Sequence, residues 1–214
     1  KVINVINDKL PESSKIDRKV GKECLMTHYY CSTATPKNLL TPEQLGLFYE
    51  TISQMFEGPE RVMRAIVETW TDQDTFTWSL PDKHTARVTT SVVKAVDIEW
   101  HGAQFSYEYS EHESNNNYRH LPANIIQSVD GYIARTMQLM AKEQGFDLVS
   151  IHDNFMTHPN FSRQAQRNYN TIMQDIADSN LLQSILREIS GDPDYVFKKV
   201  VDGMIISSEY SICS

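Results

Sequence analysis

Two short stretches carry side chains whose types and spacing could do chemistry. In "RKVGKECLMTHYY", Arg18 and Lys22 are four residues apart and Tyr30 lies eight further on. On a helix the two cations stand one turn apart on one face. Tyr30 is turned from Lys22 by about 80° at ~100° per residue. Such a pair can clamp a triphosphate, the guanidinium binding oxygens bidentately and the ammonium acting as a point charge. The tyrosine would supply an aromatic wall. The ordinary alternative is a solvated basic face beside a packed tyrosine. In "FDLVSIHD", His152 and Asp153 follow an apolar run that reads as a buried strand. A carboxylate desolvated at a strand end needs a donor, water or a metal, and Asp153 suits a hard cation such as Mg²⁺. The alternatives are a hydrogen-bonded turn residue or the His-Asp pair of a metal phosphohydrolase. The phosphohydrolase pair sits on a helix, with another histidine upstream.

These residues need elements to hold them. Residues 13–31 read as a helix capped by Ser13 or Ser14, with Val20, Leu25 and Met26 as its apolar positions. "TATPKNLLTPEQ" reads as a loop. Thr41 then caps a helix with Pro42 in its first turn, running to about Phe56. The next helix breaks at Gly58-Pro59 and restarts. Beyond residue 85 the chain turns β-branched and aromatic. Val96, Ile98 and Trp100 alternate before His101-Gly102, and Ala103, Phe105, Tyr107 and Tyr109 alternate after it, the signature of a β-hairpin. "SEHESNNNYRH" is a polar loop and residues 128–144 are helical. "FDLVSI" is a strand, and residues 160–189 form one long helix or two. Asp192-Pro193 starts a last short helix, followed by an extended tail. The class is helix-rich α+β.

The composition narrows the function classes. The chain has 214 residues, 40% of them hydrophobic, and a formal net charge of −8. That charge argues against binding nucleic acid by bulk electrostatics alone. No apolar run reaches the length of a membrane span. Cys24, Cys31 and Cys213 have no metal-ligand spacing, which points to a reducing cytoplasmic compartment.

Taken together, the basic helix and the His-Asp turn resemble the B and C motifs of right-hand polymerases. His152-Asp153-Asn154-Phe155-Met156-Thr157-His158-Pro159 matches the Phe-x-Thr-x-Pro that follows His-Asp in single-subunit DNA-directed RNA polymerases of the phage and mitochondrial type. Met26-Thr27 and Tyr30-Cys31-Ser32 fall in register with that family's motif B. Asn124-Ile125-Ile126-Gln127-Ser128-Val129-Asp130-Gly131 resembles its Asn-x-x-His-Ser-x-Asp-Gly, and "SSEYSIC" looks like its C-terminal foot. The resemblance covers residues 15–214. It implies a palm-and-fingers fold: a fingers part with the motif B helix over residues 1–84, a β-hairpin in the specificity-loop position over 85–121, and a palm part with motif C and the foot over 122–214.

The family resemblance also implies roles. Arg18, Lys22 and Tyr30 would bind the nucleotide. Lys22 would also protonate the leaving pyrophosphate, and Tyr30 would help select ribonucleotides. Asp153 would hold two Mg²⁺ ions, and His152 and Gln127 would touch nucleic acid. Cys31 stands where the family has glycine, Gln127 where it has histidine and Asn154 where it has serine. The family's second metal carboxylate, on motif A, lies well before motif B, and only 17 residues precede Arg18 here. The expectation is therefore a C-terminal part of the enzyme, truncated at the front and ending naturally near Ser214. It would need motif A from another chain or segment, as in the two-chain enzymes of N-four-type phages. The partners implied are that second chain, a DNA template, nascent RNA and NTPs. An accessory promoter-binding factor is also expected: Val96–Glu113 holds five acidic residues and no lysine or arginine, whereas guanine readout relies on those cations. A family-A DNA polymerase fragment and a non-catalytic interaction subunit of the same fold are the competing readings.

Overall fold

The computed structural model describes residues 2–31, 34–113 and 120–198. The protein is α+β, rich in helix, with three separate two-stranded antiparallel sheets among the described residues.

The N-terminal part is helical. Helices α1 (Val2–Asp8) and α2 (Arg18–Tyr29) approach closely because Gly21 is buried where any Cβ would collide with the Ile3 side chain. The predicted helix start at Ser13 or Ser14 is wrong. Glu12–Ser14 form a single 3-10 turn, Lys15 is extended, and Asp17 is the true cap, its carboxylate accepting from the Lys19 N–H at 2.7 Å. Val20 and Leu25 pack on the core as expected, but Met26 is exposed. Helix α3 (Ala34–Leu39) occupies most of the stretch read as a loop. Its proline falls in the first turn, where no N–H is needed. Helix α4 (Pro42–Met55) begins as predicted, at Thr41. The Thr41 hydroxyl accepts from the Gln44 N–H and the Gln44 side chain accepts from the Thr41 N–H, closing a capping box. The break before helix α5 (Glu57–Glu68) is at Phe56, and Gly58-Pro59 lie inside its first turn. Ile6, Cys24, Phe48 and Ile52 form the buried centre of this part.

A second core is built on a hairpin absent from the sequence reading. Strands β1 (Thr75–Ser79) and β2 (Thr85–Thr89) pair antiparallel. Phe76 and Trp78 alternate inward, and Trp78 is fully buried with its indole N–H donating to Ser128 Oγ at 2.9 Å. An aromatic of this size buries ~150–250 Å², worth roughly 4–6 kcal/mol of gross transfer free energy. It packs with Leu121, Ile125, Ile185 and Ile189. The last two come from α8 (Leu181–Ser190) and the first two from α6 (His120–Glu143). Helix α6 starts eight residues before the predicted 128, at His120, and is a 24-residue rod.

The predicted hairpin is present and longer than its alternating core. Strands β3 (Ser91–Trp100) and β4 (Ala103–His112) pair throughout, and His101 and Gly102, both at positive φ, make the two-residue turn. Its aromatic residues Trp100, Phe105, Tyr107 and Tyr109 are exposed rather than part of a core. The segment 160–189 resolves into two helices, α7 (Ser162–Asp178) and α8, separated at Ser179-Asn180. The helix expected at Asp192-Pro193 is only a turn, with the Asp192 side chain accepting from the Asp194 N–H, and residues 195–198 have no regular secondary structure. The extended tail, Ser32 and Cys213 lie outside the described residues, as does most of the polar loop after the hairpin.

Candidate active site

Strands β5 (Leu148–Ile151) and β6 (Asn154–Thr157) form a short hairpin whose two-residue turn is His152-Asp153. His152 sits at φ 55°. The left-handed region costs a non-glycine residue about 1 kcal/mol, and histidine enters it more readily than most. The hairpin is fixed from one side only. Leu148 and Phe155 pack on the core shared by α6 and α7, and Gln138 of α6 donates to Ser150 Oγ at 2.7 Å. Thr157 Oγ1 donates to the Asp147 carbonyl at 2.7 Å and closes the base. Thus Phe155, Thr157 and Pro159 each have a structural job: an inward ring, a hydrogen bond across the hairpin base and the start of a 3-10 turn. The other face carries Val149, Ile151 and Met156, all exposed. The apolar run is therefore half-covered, which corrects its reading as a buried strand.

Asp153 is exposed and makes no hydrogen bond or ion pair among the described residues. Water can satisfy it, so desolvation does not force a partner on it. What distinguishes its surroundings is charge. Asp130 of α6 and Tyr169 of α7 both feel Asp153 electrostatically. Burial pushes the Asp130 carboxyl up from its ordinary value, and the nearby negative charge of Asp153 adds to this. Asp130 nevertheless keeps a solvent-exposed edge. The Tyr169 phenol is raised by burial first, then by Asp130 and Asp153. Its ring lies 6.2 Å from that of Phe155. Gln127 is exposed three residues before Asp130, hence on the same side of α6. Asp130, Asp153 and Tyr169 thus form one electrostatically coupled cluster at the hairpin turn, with Gln127 beside Asp130 on α6.

Asp130 and Tyr169 were not assigned roles by sequence reasoning. Asp130 lay within a quoted motif; Tyr169 gave no signal, because its position depends on how α7 crosses α6. That crossing is locked by paired amides: Asn168 Nδ2 donates to Gln144 Oε1 at 2.8 Å and Gln144 Nε2 to Asn168 Oδ1 at 3.1 Å.

Arg18 and Lys22 stand exposed on α2, and neither has an ion-pair partner among the described residues. Both cations are available to an anion. Tyr30 is the C-cap of α2 and is 44% exposed. Cys31, in the glycine position of the motif, has φ 58°, the conformation that favours glycine there. The end of α2 is oriented by His28, whose Nε2 lies 2.8 Å from Glu60 Oε1 of α5. No described hydrogen bond or ion pair joins Arg18, Lys22 or Tyr30 to the Asp153 cluster. The basic helix and the carboxylate turn belong to different hydrophobic cores.

Asp153 offers the exposed carboxylate oxygens that Mg²⁺ takes, usually one or two carboxylates completed by water and phosphate. Among the described residues no three His, Cys, Asp or Glu side chains converge to hold a metal. The residues fit one side of a shared site, not a closed cage. An apolar cavity of ≈ 670 Å³ between α5, α6 and α8 has, among the described residues, Tyr29 as its one titratable lining residue and no ligating carboxylate.

The Asp130 shift has a consequence for stability. Its folded-state pKa is raised, so the stability it contributes is full below the unfolded value of ~3.9 and is lost as pH rises through the folded value. Asp130→Asn is expected to melt at a higher temperature than wild type at pH 7, with the advantage gone near pH 3. Melting curves across that range in metal-free buffer check this; equal melting temperatures at pH 7 would show that Asp130 carries no such strain.

No described helix is long and apolar enough to cross a membrane. No protein-family model matches the sequence and no curated protein matches it.

Proposed function

We propose that the chain is the palm-and-fingers part of a single-subunit-type, DNA-directed RNA polymerase that works with a metal-binding carboxylate from another chain or segment. One observation carries this reading: Asp153 lies exposed on the turn of a half-covered β-hairpin, with one face exposed and no third strand paired to it among the described residues. Two exposed cations one turn apart on α2, within the same ordered set of motifs, support it.

In this reading Asp153 holds the metal together with the outside carboxylate. A bound Mg²⁺ pair would neutralise charge on the transferring phosphoryl group and lower the pKa of the RNA 3′-hydroxyl. This chain's own residues do the rest. Arg18 takes two phosphate oxygens through its forked N–H groups. Lys22 Nζ sets a positive charge beside the triphosphate and delivers a proton to the departing pyrophosphate oxygen. Tyr30 presents its ring to the nascent pair and its hydroxyl to the ribose 2′-OH. Gln127, on the same helix face as Asp130, donates from its amide to a minor-groove acceptor. His152 donates to backbone or phosphate next to Asp153. The products are an RNA longer by one nucleotide and pyrophosphate.

The reading is tested by nucleotide choice. Tyr30→Phe in the assembled enzyme is expected to lower ribonucleotide-over-deoxynucleotide preference by about tenfold, the scale of one lost hydrogen bond, with little loss of ribonucleotide rate. Single-nucleotide extension of an RNA primer on single-stranded DNA, with matched rNTP and dNTP, reads this directly. Unchanged selectivity would make Tyr30 a packing residue, and no template-directed extension by the wild-type assembly would overturn the function.

A further inference from the structure

The β3–β4 ribbon has two chemically opposite faces. Residues directly opposite in the register share a face, so Val96, Ile98 and Trp100 lie with Phe105, Tyr107 and Tyr109. Trp100 is 66% exposed, Tyr107 62%, Phe105 57% and Ile98 48%. The reverse face carries Asp97, Glu99 and Glu108. Lys94 is neutralised at the ribbon base by Glu111 and Glu113, at 2.7 and 2.9 Å. The base is anchored by buried Thr90, whose N–H donates to the Asp74 carbonyl at 2.8 Å and whose hydroxyl donates to the Glu113 carbonyl at 2.9 Å. Beyond this anchor the principal packing of each ribbon strand is against the other.

An isolated two-stranded ribbon is marginal in water, and a contiguous exposed apolar face of this kind marks an interaction surface. Charge selects the occupant. Phosphate backbones and anionic headgroups would meet the acidic reverse face and a chain of net charge −8. A second copy brings the same sign. We propose that the aromatic face of the β3–β4 ribbon docks into an apolar cleft of a basic protein, whose Lys and Arg rim pairs with Asp97, Glu99 and Glu108. This interface does not depend on the polymerase reading.

The test places p-benzoylphenylalanine at 105 or 107 on the apolar face, or at 106 on the reverse face, in the full chain in cells that make it. Irradiation is expected to join 105 and 107, and 106 far less, to one polypeptide of net positive charge, identified by mass spectrometry. That polypeptide, purified, should bind the wild-type chain with an affinity that falls with salt. Phe105→Ser and Tyr107→Ser should each weaken binding at least tenfold at unchanged melting temperature, and Glu108→Lys should weaken it too. If a serine variant fails to fold, the face-dependence of cross-linking in the otherwise native chain still decides. Adducts only with nucleic acid, lipid, an acidic protein or a second copy, equal adducts from 106, or none at all would overturn the proposal.

Discussion

Asp153→Asn in the assembled enzyme is expected to cut the rate of nucleotidyl transfer by at least ~10²–10³, the usual cost of removing one strong electrostatic stabiliser from a transition state. NTP affinity should change little. The reason lies in the separation of tasks. In the proposed polymerase, Arg18 and Lys22, exposed on α2 and without an ion-pair partner among the described residues, would meet the phosphates in the ground state as much as in the transition state. Asp153 would act where charge redistributes during transfer, so its loss should appear in the chemical step. The substitution should leave the fold intact, because Asp153 is exposed and makes no described hydrogen bond. It also removes the charge that helps raise the Asp130 carboxyl, which should therefore titrate lower in the variant. Pre-steady-state extension, with NTP binding measured separately, resolves the two effects. A variant retaining more than about a hundredth of the wild-type rate would contradict a metal-binding Asp153.

Parts of this fold were legible because one local rule dominated. Thr41 with Gln44 three residues on is a capping box in sequence and in structure. His101-Gly102 between alternating apolar residues gives the ribbon its register without help from tertiary contacts. Other parts depended on packing. Thr75–Ser79 is too short to declare itself, and becomes a strand because Phe76 and Trp78 find α6 and α8 beneath them. Pro36 suggested a loop, yet it is a buried first-turn residue of α3. The Asp17 cap outranked Ser13 and Ser14 because the chain is extended through Lys15.

The candidate site divides in the same way. Arg18, Lys22 and Asp153 could be named from spacing, because an exposed helix face and a two-residue turn are local features. Asp130 and Tyr169 join Asp153 only through the crossing of α6 and α7, which no local pattern encodes. Burial misled in one case. "FDLVSI" has the composition of a covered strand, but Val149 and Ile151 face outward. Composition registers an apolar face and cannot say whether this chain or another one covers it.

The most direct measurement compares template-directed RNA synthesis by the purified 214-residue chain with synthesis by the native assembly that contains it. Single-stranded DNA, an RNA primer, four NTPs and Mg²⁺ suffice, and extension is read on a gel. The cluster at the hairpin turn holds two carboxylates, Asp130 and Asp153, and among the described residues no third His, Cys, Asp or Glu side chain joins them to hold a metal. A two-metal site needs more negative charge than that. The chain alone should therefore give no extension. The assembly should extend the primer in template order, and lose that activity with Asp153→Asn. Robust extension by the isolated chain, or none by an intact assembly, would contradict a polymerase whose site is completed from outside these residues.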